Sequence, residues 1–161
     1  DGARALVNCG RLVHVLQVAT GRDAIPPLTN NLATRRVAFS PDGKWIASGG
    51  SDVSYNPGQA RVWDSTTGEL RAQIRHSDGL TALIFSPDGR WLATGSEDRS
   101  ARVWEWQSGK PVTPRLPHRA TVERLAFSSD GQLLASATGE GEVCVWDVAI
   151  GEPVTAASIS E

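Results

Sequence analysis

Three residue types that hydrolytic enzymes combine stand in a row at His76, Ser77 and Asp78. A catalytic triad needs the histidine to reach the serine hydroxyl on one side and the carboxylate on the other. Consecutive residues of an extended chain point to alternating sides, so these neighbours cannot readily converge on one reacting atom. We therefore predict no catalytic residue in this row.

Metal and nucleotide chemistry lack their usual residue patterns as well. The two cysteines, Cys9 and Cys144, have no second cysteine or histidine at the spacing of metal ligands, and they do not make a disulfide framework. No glycine-rich loop is followed by Lys and Ser or Thr, as a phosphate-binding loop requires. The sequence thus predicts no metal, no cofactor and free thiols in a reducing compartment, for which we expect the cytoplasm.

Charge and hydropathy narrow the classes of partner. The formal charge is −2, from 16 basic and 18 acidic residues, which gives no general attraction to a polyanion. No apolar run approaches the ~20 residues of a membrane helix. We therefore expect neither nucleic acid nor a membrane as partner, and 161 residues are enough for one domain with a real core.

Most of the remaining histidines, tryptophans and glycines belong to a repeat. The sequence Phe-Ser-Pro-Asp-Gly begins at Phe39 and Phe85, and Phe-Ser-Ser-Asp-Gly begins at Phe127, at spacings of 46 (85 minus 39) and 42 (127 minus 85). The downstream anchors keep the same order: Trp63-Asp64, Trp104-Glu105 and Trp146-Asp147, and then Gly68, Gly109 and Gly151. Three anchors in one order at nearly constant separation indicate tandem copies of one unit.

Each copy has the composition of short β-strands joined by tight turns. In the copy that contains Phe85, the segments LTALIF, RWLATG and SARVWE favour strands, and the clusters SPDG and SEDR between them favour turns. A fourth strand is predicted at KPVTPRL, whose two prolines suit an outer edge. A four-stranded unit that repeats every 40–45 residues with a Trp-Asp signature is typical of propeller blades.

On these motifs the chain resembles the WD-repeat β-propellers from about Arg11 onward. The resemblance implies an all-β fold of radially stacked blades, with an incomplete blade at about 1–29 and full blades at 30–75, 76–117 and 118–161. In the incomplete blade we expect second, third and fourth strands at residues 3–7, 11–17 and 22–29, with the innermost strand missing.

The resemblance also assigns a structural hydrogen-bond network. In this family a histidine before each first strand bonds to an aspartate in the second turn and, through a Ser or Thr, to the tryptophan. Carried over residue by residue, the third blade supplies the complete set: His76, Thr94, Asp98 and Trp104.

The other two blades depart from that set. The fourth has His118, Ser136 and Trp146, with Glu140 at the aspartate position. The second has Asn30, Ser48 and Trp63, with Asp52 displaced by a five-residue insertion within 51–59. We therefore predict one complete network, and a structural role for it.

Partner contacts are implied for the loops that enter each first strand and for the turns between second and third strands. The candidates are Arg35, Thr81 and Glu123, each five residues after the histidine position, with Glu97 beside Asp98, and Tyr55 in the insertion. The alternative for each is an ordinary solvated side chain, and for the insertion a tolerated surface loop.

These features favour a non-enzymatic scaffold that binds a protein or peptide. Because an open arc of blades leaves two apolar faces in water, we expect either a fragment of a longer propeller or two copies that form a ring of about eight blades. A closed four-blade ring is a further possibility, because propellers have ~4–8 blades. The alternative function is a sensor or regulatory arm of a larger multidomain signalling protein whose catalytic domain lies outside this chain.

An enzyme of this architecture would need polar groups that converge in a central channel. First-strand residues such as Arg36, Glu123 and Arg124 could reach one, but no diagnostic spacing pairs them. We therefore predict that the chain is not an enzyme.

Overall fold

A computed structural model of the chain describes residues 2–51 and 57–158. Over these residues the backbone forms β-strands and turns and no helix, and the strands make four antiparallel sheets that follow one another along the chain. This part of the chain accordingly contains no helix of the length and apolarity that a membrane span requires. The expectation of an all-β fold built from propeller blades is confirmed.

The first sheet has three strands, with β2 in the middle. Its strands are β1 (Arg4–Cys9), β2 (Leu12–Gln17) and β3 (Leu28–Thr29). The prediction of an outer strand over residues 22–29 is wrong in its extent, because a single bridge between Leu16 and Asp23 precedes the two-residue β3. Pro26 and Pro27 lack the amide hydrogens that a continuous ladder would need.

The second sheet has four strands in sequence order from the inside outward. They are β4 (Thr34–Phe39), β5 (Trp45–Gly50), β6 (Gln59–Asp64) and β7 (Leu70–Arg75). The inserted turn between β5 and β6 includes Asp52 and Tyr55, which lie outside the described residues.

The third sheet has the same order but a broken outer edge. Its strands are β8 (Leu80–Phe85), β9 (Trp91–Ser96), β10 (Ser100–Glu105), β11 (Lys110–Pro111) and β12 (Leu116–Pro117). The prediction of one strand at KPVTPRL is wrong, because two short strands pair with β10 on either side of a bulge. In the bulge the amides of Val112 and Thr113 both point at the Val103 carbonyl, and Pro114 has no amide hydrogen to continue the ladder.

The fourth sheet again has four strands in sequence order. They are β13 (Val122–Phe127), β14 (Leu133–Thr138), β15 (Glu142–Asp147) and β16 (Pro153–Ser158). The repeat predicts strands at residues 122–127, 132–137, 142–148 and about 153–158, and the bounds of the four observed strands agree with these within one residue, because here both the anchors and the turns are regular.

One turn design joins the first two strands of the second, third and fourth sheets and explains the repeated Ser-x-Asp-Gly sequence. In the third sheet the Ser86 hydroxyl donates to Asp88 at 2.6 Å and accepts from the Trp91 amide at 2.9 Å. Gly89 closes the turn at a φ of 71°, where a side chain would be strained. Equivalent bonds occur at Ser40 and Ser128.

The apolar core lies between the sheets, in three separate layers. We call the side of each sheet that carries the tryptophan of its third strand the leading face, and the opposite side the trailing face. Between the second and third sheets, the trailing face of one packs on the leading face of the other through the buried residues Ala47, Ala60, Val62, Leu83, Leu92 and Trp104. Burial of each large side chain contributes about 1.5–3 kcal/mol, so every sheet depends on its neighbours.

Glycines on the trailing faces allow the sheets to approach closely. A Cβ atom at Gly95 would lie 2.8 Å from Val122 Cγ1 and 3.0 Å from the Val122 carbonyl oxygen. A Cβ at Gly49 would lie 2.8 Å from Leu80 Cδ2 in the same way. The first strand of the next sheet therefore contacts the backbone of these glycines directly.

Two faces have no sheet against them within the described chain. On the leading face of the first sheet, Val7 is 46% exposed and Leu12 is 38% exposed. On the trailing face of the fourth sheet, Ala135 and Val143 are partly exposed, whereas their counterparts Ala93 and Ala101 are fully buried in the third sheet. The arc of sheets therefore ends in one leading and one trailing face.

Candidate functional site

A relay of hydrogen bonds lies under the loops at the junction of the second and third sheets. Trp104 Nε1 donates to the hydroxyl of Thr94 at 2.7 Å, and His76 Nε2 lies 2.6 Å from the same oxygen. Because an indole N–H can only donate, the Thr94 hydroxyl hydrogen is free to bond to His76 Nε2. The Nδ1–H of His76 then faces Asp98 Oδ2 at 3.4 Å. The structure thus brings the four residues of the predicted complete network together.

Asp98 is the acceptor at which several bonds end. Its carboxylate also accepts the hydroxyls of Ser77 at 2.7 Å and Ser100 at 2.5 Å. Burial alone would raise the pKa of Asp98, but the hydrogen bonds from His76, Ser100 and Ser77 outweigh it and hold that pKa well below its usual range. Asp98 is therefore an anion at neutral pH, and its hydrogen bonds join the loop before β8 to the turn between β9 and β10.

The row His76, Ser77 and Asp78 does not assemble as a triad. Ser77 and His76 both bond to Asp98, and the Asp78 carboxylate accepts the neighbouring Gly79 amide at 2.8 Å. His76 and Ser77 thus share Asp98 as their acceptor, whereas the Asp78 carboxylate is engaged with the backbone next to it, so the three side chains do not converge on one another.

The junction of the third and fourth sheets carries the same relay with a different ending. Trp146 Nε1 donates to Ser136 Oγ at 2.8 Å, and His118 Nε2 lies 2.7 Å from that oxygen. His118 Nδ1 lies 3.0 Å from the carbonyl oxygen of Leu116, and no hydrogen bond among the described residues joins His118 to Glu140. Burial lowers the pKa of His118 against the opposing effects of the Leu116 carbonyl and Glu142.

At the first junction an asparagine occupies the histidine position. Trp63 Nε1 donates to Ser48 Oγ at 2.8 Å, and the Ser48 hydroxyl donates to Asn30 Oδ1 at 3.0 Å. Asn30 Nδ2 then donates to Thr34 Oγ1 at 2.8 Å, so a neutral hydroxyl ends this relay. The contribution of Thr34 was missed in the sequence, where the spacing to Phe39 identified only Asn30.

Three of the candidate contact residues share one structural position. Arg35, Thr81 and Glu123 each occupy a β-bulge near the start of the first strand, where the pairing with the second strand shifts by one residue. We call this end of the sheets the loop end, because the connections that enter β4, β8 and β13 lie there. A bulge turns a side chain out of the regular alternation. The constant spacing from the histidine position was the one signal of it in the sequence.

The candidate residues also link neighbouring sheets. Arg35 forms an ion pair with Glu97 of the next sheet, and the two side chains are 42% and 39% exposed. The Thr81 hydroxyl donates to the Val122 carbonyl oxygen at 2.5 Å. Glu123 differs, because it lies over Gly139 of its own sheet, where a Cβ would be 2.6 Å from Glu123 Oε1. Tyr55 lies outside the described residues.

The arginines and cysteines that the sequence singled out do not converge on a reactive site in the described residues. Arg36 and Arg124 are exposed. Cys9 is exposed and Cys144 is buried, and both are free thiols. Burial, followed by the charge of Glu142, raises the pKa of Cys144. Over residues 2–51 and 57–158, no group of three His, Cys, Asp or Glu side chains is placed to hold a metal ion.

Comparison with known proteins agrees with this geometry. The family model described as "WD domain, G-beta repeat" matches residues 30–64, 68–105 and 109–147. Among solved structures, the crystal structure of the computationally designed Ika8 protein superposes with a TM-score of 0.83 at 23% sequence identity. The match covers 97% of this chain and 46% of that chain, so the present chain spans about half the length of Ika8. No curated protein matches.

Proposed function

The chain belongs to the WD-repeat family, and from this premise we propose that it is a non-enzymatic scaffold that binds a protein or peptide at its loop end. WD-repeat domains are in general interaction modules without catalysis of their own. The observation that supports the loop end as the binding surface is the row of bulged residues, Arg35, Thr81 and Glu123, one on each of the second, third and fourth sheets.

The relays beneath this surface support the same proposal. Each relay ties the loop before a first strand to the tryptophan of a third strand, as His76 is tied to Trp104 through Thr94. A loop held in this way loses little conformational entropy when a partner binds, which favours affinity. Arg35 and Glu97, both partly exposed, add a pair of opposite charges that a partner can contact.

The test compares charge reversal at the two ends of the sheets. Peptides selected from a displayed random library on the folded chain would be titrated against the variants R35E and R90E. Arg90 is an exposed arginine in the turn at the opposite end of the third sheet, so it is the matched control. We expect R35E to weaken binding by about tenfold and R90E to leave it within about twofold.

Melting curves of both variants provide the control for folding. An exposed ion pair contributes about 0–1 kcal/mol, so R35E should melt close to the parent chain. Equal losses of peptide binding in R35E and R90E, or none in either, would place the binding surface away from the loop end.

A second candidate function is self-assembly, in which two copies form a ring of about eight blades. It is favoured by the kinds of face at the two ends of the arc. Inside the chain a trailing face always packs on a leading face, and the uncovered ends are a leading face with Val7 and a trailing face with Val143. A second copy therefore offers each end the kind of face that it packs on elsewhere. The same ends would suit a longer propeller or a regulatory arm of a larger signalling protein.

Sedimentation equilibrium of this polypeptide distinguishes the assembly from the other settings. We expect a dimer in the parent chain and monomers in V7E and in V143E, because each change places a carboxylate on one end face. A mixture of V7E and V143E should dimerise in part, because one of its two junctions combines unmodified faces. A well-folded monomer at all concentrations would rule the assembly out.

A further inference from the structure

A basic groove opens at the loop end between the second and third sheets. It is a pocket of about 250 Å³, and three arginines from separate elements line it: Arg75 at the end of β7, Arg102 in β10 and Arg115 before β12. The carboxylate in the groove is Asp98, with Ser77 and Ser100 beside it. One negative charge therefore faces three guanidinium groups.

The hydrogen bonds in the groove leave guanidinium donors unused. The Asp98 carboxylate already accepts from His76, Ser77 and Ser100. Arg115 Nη2 donates to the Asp98 backbone carbonyl at 3.2 Å and lies 3.5 Å from its carboxylate, which leaves the other donors of that guanidinium available. The Nε atom of Arg102 is buried and has no hydrogen-bond partner among the described residues. A buried donor without an acceptor is costly, so this atom points to an acceptor that the chain does not supply.

The guanidinium of Arg102 lies over an aromatic ring. Its central carbon lies 5.1 Å from the centre of the Trp104 ring, and the relay that ends on Asp98 fixes that ring. Burial lowers the pKa of Arg102, and the nearby Arg115 lowers it further against the effect of Asp98. The positive charges of Arg102 and Arg115 repel each other in this pocket, and an anion bound between them would relieve the repulsion.

The equivalent grooves do not have this character. At the first junction Arg61, the counterpart of Arg102, donates to Gln59 Oε1 at 3.1 Å and to the Thr29 carbonyl at 3.3 Å. At the third junction Cys144 takes the arginine position, and the pocket there is lined by Arg119, Thr138, Glu140 and Glu142. Among the described residues, the middle groove is thus the one that combines three arginines with a buried guanidinium nitrogen that has no hydrogen-bond partner.

We propose that the groove formed by Arg75, Arg102 and Arg115 binds an oxyanion carried by an acidic peptide, either a phosphoryl group or a side-chain carboxylate. The planar fork of a guanidinium matches two oxygens of either group, and the pocket is large enough for one such headgroup. The peptide as carrier rests on the scaffold function proposed above, whereas binding of the anion itself does not.

The test follows the arginine Nε–H resonances of the ¹⁵N-labelled chain during titration with small anions. The probes are inorganic phosphate, N-acetylphosphoserine amide and N-acetylglutamic acid amide. We expect the Arg102 Nε–H resonance to shift and saturate with phosphate, and the resonance of Arg90 at the opposite end to stay unchanged. A phosphoserine probe that binds about tenfold tighter than the glutamate probe would identify phosphoryl as the ligand, and equal affinities would identify any acidic side chain.

Three variants test whether the phosphate-dependent shift of the Arg102 resonance arises from binding in the groove. R75Q and R115Q, which remove exposed guanidiniums, and R102K, which keeps the charge but loses the planar fork, should each weaken phosphate binding about five- to tenfold. R90Q is the matched control and should bind like the parent chain. Phosphate binding that does not saturate, or that all four variants keep within about twofold, would overturn the proposal. Neither result depends on a peptide partner, so failure here leaves the R35E test of the scaffold function intact.

Discussion

The junctions on the two sides of the third sheet carry the same relay and end it differently. In both, a tryptophan donates to a hydroxyl and the hydroxyl contacts a histidine, through Thr94 and His76 on one side and Ser136 and His118 on the other. The first relay ends on the carboxylate of Asp98, and the second on the Leu116 carbonyl. The first part of the relay is therefore common to the two junctions, and the last acceptor differs between them.

The last acceptor also sets the charge of the groove above it. Asp98 is saturated by local donors, and arginines surround it. At the other junction Glu140 is not drawn into the relay, so that groove holds two carboxylates with Arg119. One structural unit thus supports a basic groove on one side of the third sheet and an acidic groove on the other.

The largest difference between the junctions should follow removal of the central hydroxyl. In T94V, the buried Trp104 Nε1 and His76 Nε2 both lose their partner, at a cost of about 1–3 kcal/mol for each group. In S136A the same bonds are lost, but His118 is more exposed than His76 and water can replace part of the loss. Urea unfolding should therefore show a larger loss of free energy for T94V.

The conservative change T94S, which keeps the hydroxyl, is the control for lost packing. Equal losses in T94V and S136A would mean that burial does not distinguish the two relays.

A smaller difference is expected at the trailing faces of the two sheets. In G95A the new Cβ would meet the backbone and side chain of Val122, and such overpacking costs about 1–3 kcal/mol. The counterpart Ala137 lies on the uncovered face, where A137G should cost about 0.5–1 kcal/mol through chain entropy alone. Thermal unfolding of the pair measures both, and a neutral G95A would show that the two sheets can move apart.

The smallest difference should appear as pH dependence. His118 has a depressed pKa, so the unfolded chain takes up the proton first and stability falls as the pH drops below about 6.5. Asp98 also has a depressed pKa, so its contribution is present above about pH 4 and is lost as the pH falls further. Unfolding free energies measured against pH should show both windows.

A separate variant tests each of the two pH ranges. H118N, which places at this position the residue that the first junction uses, should flatten the upper window, and D98N should flatten the lower one. Loss of both windows in either variant would mean that the two relays titrate as one unit.

The repeat made much of this structure predictable from the sequence. Its anchors gave the strands of the fourth sheet and the four residues around Thr94, because each copy repeats the spacing of the others. The broken edge at Pro114 was not predictable, because it depends on two amides that compete for one carbonyl. The ion pair of Arg35 with Glu97 was also missed, because it depends on the distance between two sheets.

The basic groove could not be predicted from the sequence either. Arg75, Arg102 and Arg115 come from three strands or loops, and of the three only Arg102 has an arginine counterpart, Arg61, in another copy of the repeat. The packing of two sheets places these arginines around one pocket. The hydrogen bonds that Asp98 accepts from Ser77 and Ser100, and the unpartnered Nε of Arg102, then show that guanidinium donors remain available.

Interrupted and uninterrupted outer edges alternate along the arc of sheets, and this difference affects aggregation at high protein concentration. Prolines interrupt the edge of the first and third sheets, whereas β7 and β16 run for six residues each. An uninterrupted edge presents a row of amides and carbonyls on which a foreign strand can extend the sheet, and a broken one does not. Strand addition that leads to fibrils is therefore blocked at the outer edges of the first and third sheets, and it would have to begin at β7 or β16.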